Sequence, residues 1–86
     1  MNITDVRIKK VTSQEGKVKA FASITFDDAF VVHGLKVIDG KNGYFVAMPR
    51  RDVGNGEFKD IAHPINNQMR ENIQSAVLEA FNKSQD

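Results

Sequence analysis

Val18-Lys19-Ala20-Phe21-Ala22-Ser23-Ile24-Thr25-Phe26 is the stretch that decides the fold. Val18, Ala20, Ala22, Ile24 and Phe26 hold a strict period of two, the signature of a half-buried β-strand. Upstream, Val6 and Ile8 alternate with Asp5, Arg7 and Lys9, so a first strand starts at about Ile3, and Thr12 to Gly16 supply a polar hairpin loop. Downstream, Asp27-Asp28 makes a tight turn into a third strand, Ala29 to Ile38. Asp39-Gly40-Lys41-Asn42 turns that strand into a fourth, Gly43 to Met48. After Pro64 the period changes. Met69, Ile73, Val77 and Phe81, with Ala76 and Ala80, fall on one helical stripe, and Asn66 or Asn67 suits the N-cap of a helix over about 67–82. Strands first and one helix last predict an α+β domain: an antiparallel meander with a single C-terminal helix laid on one face.

The turns fix a trial register. Phe26 opposite Ala29 sets Ala22 against His33 and Val18 against Val37; Ile38 opposite Gly43 sets Leu35 against Val46 and Val37 against Tyr44. One face then gathers Val6, Ile8, Val18, Ala20, Ala22, Ile24, Val31, Leu35, Val37, Tyr44, Val46 and Met48, together with His33. A slip of one residue would scatter this apolar set over both faces.

Composition narrows the class. The 86 residues suffice for one domain, which spans the whole chain, 1–86. A chain this short buries only roughly 60% of its unfolded surface, so self-association would help it. Twelve Lys and Arg against eleven Asp and Glu leave the net charge near zero. Any footprint on a polyanion must therefore come from where the charges sit, not from their excess. The absence of cysteine excludes disulfides and thiolate metal sites and points to a reducing compartment. The opening MNITDVRIKK lacks the apolar run of a signal peptide, and no stretch reaches the ~20 apolar residues of a membrane span. A cytoplasmic protein is expected.

Little here invites catalysis. His33 reads as a core or rim histidine, and His63, in Asp60-Ile61-Ala62-His63-Pro64, as a side chain that ties the turn into the helix. No nucleophile motif, HExxH, P-loop or GxGxxG occurs, and Asp27-Asp28 lacks the further ligands of a calcium loop. The expectation is a protein with no enzyme site, no cofactor and no metal.

Two surfaces invite binding instead. On the polar face of the meander, Lys9 is expected opposite Lys19 and Lys19 opposite Lys36, beside Arg7, Phe21 and Phe45. Facing like charges are unfavourable unless solvated or neutralised by an anion. For the lysines, a solvated face and phosphate contact stand level. For the aromatics, burial with Phe30 and Val32 in a dimer interface is preferred over base stacking. The second surface is the protruding loop over 49–60. Pro49 stops the strand, Asn55-Gly56 favours a tight hairpin, and Arg50, Arg51 and Lys59 crowd the base. Adjacent arginines suit bidentate phosphate contact.

Three blocks then point to a family: Val37-Ile38-Asp39-Gly40 with Gly43; Phe45-Val46-Ala47-Met48-Pro49; and Gly56-Glu57-Phe58-Lys59-Asp60-Ile61-Ala62-His63-Pro64-Ile65. Along essentially the whole chain, with Ile3-Thr4-Asp5-Val6-Arg7 and Ser23-Ile24-Thr25, the sequence resembles the stage V sporulation protein G (SpoVG) family. The resemblance implies an antiparallel sheet with a C-terminal helix and a cytoplasmic homodimer. It also implies a bacterial regulator of septation and sporulation that binds DNA, RNA or both, with determinants near the basic loop, here Arg50, Arg51 and Lys59. The sequence departs from many members at Asp52, where they place a basic residue, and at Val53-Gly54-Asn55-Gly56, where they have Thr-Pro-Asp-Gly. The rival expectation is a protein-interaction adaptor in septum formation that does not touch nucleic acid.

Overall fold

Asp27 and Asp28 both take left-handed backbone angles, φ 52° and 53°, the requirement of a hairpin turn matched to strand twist. They close the central hairpin of a computed structural model that describes residues 2–11 and 16–83. The polar loop expected over Thr12 to Gly16 falls largely on 12–15, outside the described residues. Strands β1 (Ile3–Lys10), β2 (Val18–Phe26), β3 (Phe30–Gly40) and β4 (Gly43–Ala47) form an antiparallel sheet in the order β1-β2-β3-β4. Strands β5 (Arg50–Gly54) and β6 (Glu57–Asp60) form a separate ribbon, and helix α1 (Asn67–Lys83) ends the architecture. The fold is α+β, as the change of period requires.

The helix starts where its cap is. Asn66 Oδ1 accepts the backbone N–H of Met69 at 2.7 Å, satisfying one of the donors a helix N-terminus leaves unpaired. Ile73, Val77 and Phe81 bury one stripe against Ala20, Ala22, Ile24 and Phe26 of β2, Leu35 and Val37 of β3, Val46 of β4, and Met48. Phe81 closes one end of this core. Tyr44 meets its ring edge-on at 5.3 Å between centroids, and the Lys10 ammonium lies 5.9 Å over it.

The register differs from the trial one in an instructive way. The turn after β2 takes a third residue, Ala29, so Phe26 pairs with Phe30 rather than with Ala29. A bulge follows, in which His33 and Gly34 together face Ser23, with Gly34 at φ 87°. Ala22 therefore pairs with Leu35 and Ala20 with Val37, an offset of two from expectation, while Val37 pairs with Val46 instead of Tyr44. An offset of two keeps each side chain on its face, so the core of Leu35, Val37 and Val46 stands. Between the turn and the bulge the offset is one, and there the faces swap. Val31 is exposed, Val32 packs against the core, and His33 lies exposed, bonded through Nδ1 to Ser23 Oγ at 2.8 Å. His33 is thus not on the core face.

Candidate nucleic-acid interface

The segment read as a basic loop is a regular ribbon. Asn55 (φ 57°) and Gly56 (φ 76°) make the positive-φ turn, and all of β5 and β6 is exposed. Arg51 pairs across the ribbon with Lys59, Arg50 with Asp60, and Asp52 with Phe58. Since cross-strand partners share a face, Arg51 and Lys59 occupy one face and the mixed pairs the other. Arg50 is engaged, its Nε donating to Asp60 Oδ1 at 2.9 Å. Asp52 is engaged too, its Oδ1 accepting the N–H of Gly54 at 2.8 Å, which turns its carboxylate to the strand's own backbone. Arg51 and Lys59 form no ion pair among the described residues. Of the three cations expected to act together, the fold brings two together and ties the third to a carboxylate.

The outer face of the four-stranded sheet forms the second surface. Lys9 pairs with Phe21 and Phe21 with Lys36, while Lys19 accepts a backbone bond from Val11. The expected ladder of lysine against lysine is therefore corrected: an offset of two in the β1–β2 pairing and another in the β2–β3 pairing insert Phe21 between Lys9 and Lys36. All three lysines keep the outer face, joined by Arg7, which is bonded to Asp5 at 2.9 Å. Phe45 pairs with Ile38 on the same face. The patch foreseen as a dimer interface loses Val32, which packs against the core, while Phe21, Phe45 and Phe30 stay exposed. Gly34 carries the signal that would have found this, an isolated glycine within a strand pattern.

His63 is exposed, its Nδ1 bonded to the Pro64 carbonyl at 3.1 Å, in the turn where its sequence context put it. It lines a small apolar hollow of about 100 Å³ with Val32, Leu35, Met48, Ala62, Pro64, Met69 and Ile73. Sequence spacing did not bring out the Ser23–His33 contact. Among the described residues no group of three His, Asp or Glu side chains is placed to hold a metal ion, and no helix is long and apolar enough to cross a membrane.

A four-stranded antiparallel sheet with one helix, a projecting ribbon and a cationic outer face defines a small α+β domain whose distinctive chemistry lies on open surfaces. The chain belongs to the SpoVG family, whose model matches residues 1–83. It is similar to proteins named "Putative septation protein SpoVG". That of Clostridium acetobutylicum is 64% identical over 83 residues, covering 96% of this chain and 86% of the relative. That of Clostridium perfringens is 61% identical over 83 residues, covering 96% and 91%. That of Clostridioides difficile is 58% identical over 84 residues, covering 98% and 90%.

Proposed function

We propose that this protein is a cytoplasmic, homodimeric regulator associated with septation that binds DNA, RNA or both and performs no catalysis. The observation that carries the reading is the Arg51–Lys59 pair on one face of an exposed ribbon. Two cations directly opposite each other repel unless an anion sits between them. A row of phosphates is such an anion, and a two-stranded ribbon has the width the duplex major groove admits. The septation association rests on the names of the relatives.

Dimerisation is supported by surface. The chain exposes 6364 Å², about a quarter more than the roughly 5,100 Å² expected of a compact monomer of 9.6 kDa. A hairpin exposed along both strands is marginal in water by itself. Phe58 within it, and Ile61 and Ile65 beyond it, the last 91% exposed, add apolar area that a second copy could cover. The same three side chains support the adaptor reading, in which a septation protein takes that place.

The test is a gel-shift titration against duplex DNA and single-stranded RNA over a salt series. Binding with log affinity falling linearly in log salt is expected, with a slope of about −0.9 per phosphate on duplex and −0.7 on single strands. Absence of binding at low salt to either would leave the adaptor reading in its place.

A further inference from the structure

We propose that the outer face of the four-stranded sheet is a second nucleic-acid site, specific for single strands, on which bases stack against Phe21 and Phe45 while Lys9, Lys19 and Lys36 meet the phosphates. This rests on the nucleic-acid reading above but assigns a different surface and a different substrate class from the ribbon.

Three observations carry it. The first is charge. Arg7, Lys9, Lys19 and Lys36 share this face with Asp5 as its one carboxylate among the described residues, although the chain as a whole is close to neutral. The second is the alternation of charge and ring. Phe21 sits between Lys9 and Lys36 in one cross-strand row. Phe45 lies two strands away and one side-chain repeat along, about 12 Å from Phe21 by strand spacing and rise. Backbone-tracking cations around sequence-tolerant aromatic platforms are what single-strand sites use.

The third is how the rings are held. Gly40 pairs with Gly43 at the end of β3, and a Cβ built on Gly40 would stand 2.9 and 3.0 Å from the Phe45 ring. The ring therefore lies against bare backbone at Gly40, where any side chain would displace it, with 44% of the residue exposed. Phe21 is 43% exposed and borders a hollow of about 210 Å³ shared with Arg7, Lys9, Ser23 and Gly34. That hollow exists because Gly34 and Ser23 place almost no side chain there. A ring beside a vacant, cation-rimmed hollow can receive a planar base.

Geometry selects the single strand. Four strands span about 14 Å between the outer strand axes before side chains are counted, and the major groove is ~12 Å wide. The face is too broad to enter a duplex, whose bases offer no exposed ring to stack. In a single strand the bases are free to splay.

The experiment measures fluorescence anisotropy of labelled oligothymidylate, oligouridylate and a mixed-sequence duplex with the wild-type chain, Phe21→Leu, Phe45→Leu, Lys9→Gln/Lys36→Gln and Arg51→Ala/Lys59→Ala. Each Phe→Leu variant keeps apolar bulk and loses the π face. Each should weaken single-strand binding by roughly 5- to 150-fold, the range of one base stack, and leave duplex binding unchanged. The lysine variant should lower the single-strand salt slope by about 1.4, two phosphates at 0.7 each. Since the sequence has no Trp, Phe45→Trp adds a single reporter, expected to be quenched by oligothymidylate and not by duplex. Circular dichroism and sedimentation of each variant accompany the titrations. Wild-type single-strand affinity in both folded Phe→Leu variants, with duplex binding intact, would sink the second site and leave the ribbon reading standing. A Phe→Leu variant that turns a dimer into monomers would make this face an interface between copies and overturn the proposal. Failure of the wild-type chain to bind any of the three probes would remove both readings together.

Discussion

Gly34 shows how one residue sets which side chains meet the solvent. Its φ of 87° lies where L side chains are strained, and a Cβ there would just touch Pro49 Cβ at 3.4 Å. Space is therefore not the obstacle; the backbone is. Gly34→Ala should destabilise the fold by about 1–2 kcal/mol, the cost of left-handed backbone for a residue with a Cβ, read as a lower urea midpoint at unchanged slope. An unchanged midpoint would mean that the bulge relaxes into regular pairing. Asn66 acts through one hydrogen bond to Met69 N–H. Asn66→Ala should cost about 1 kcal/mol by loss of the cap, seen as a lower melting temperature with the sheet's spectrum intact. The cap was legible because Asn before a helical stripe has a local chemical reason to be there. The bulge was less so, since His33-Gly34 breaks the alternation without saying where it resumes.

At the scale of elements, the ribbon and the sheet divide the charges between them. Arg50 and Asp60 form an exposed pair, 2.9 Å apart and worth at most about 1 kcal/mol. Arg51 and Lys59 have each other as cross-strand neighbours. Arg51→Ala/Lys59→Ala is therefore expected to leave the melting temperature within about 2–4 °C of the wild type, since surface substitutions away from packing stay near ±0.5 kcal/mol. It should lower the duplex salt slope by about 1.8 per chain if both touch phosphate. Arg50→Ala should change that slope little, because its guanidinium already serves Asp60. A slope that drops for Arg50→Ala and stays for the double variant would reverse the assignment. Sequence spacing grouped Arg50, Arg51 and Lys59 as one basic region. Only strand pairing could separate them, since adjacent residues on a strand point to opposite faces.

At the scale of the molecule, the surplus of exposed surface and the uncovered ribbon support the proposed dimer. Sedimentation at micromolar concentration should give twice the chain mass, and Phe58→Asp/Ile61→Asp should return it to one. Both residues are exposed, so the double variant should keep the helical signal of α1. A wild-type chain that sediments as a monomer would remove the dimer and leave each ribbon to act alone.

The sequence by itself determined the four strands of the sheet and the helix, the helix cap, the turns at Asp27-Asp28 and Asn55-Gly56, and most of the core, while strands β5 and β6 read only as a protruding loop. Each of these is written in a local repeat or a local backbone preference, and a two-residue error in pairing leaves the inward set of β2, Leu35, Val37 and Val46 unchanged. Tertiary structure alone decided the cross-strand neighbours. Ala29 joined the turn and Gly34 opened a bulge, and each shift costs or gains only about as much as one residue's conformation. Those small terms are settled by the summed packing of the whole sheet on α1, which no single stretch of sequence contains. They set Lys36 against Phe21 and turned Val32 inward and His33 outward, while the pairing of β1 with β2 set Lys9 against Phe21 and that of β5 with β6 set Arg51 against Lys59 and gave Arg50 to Asp60.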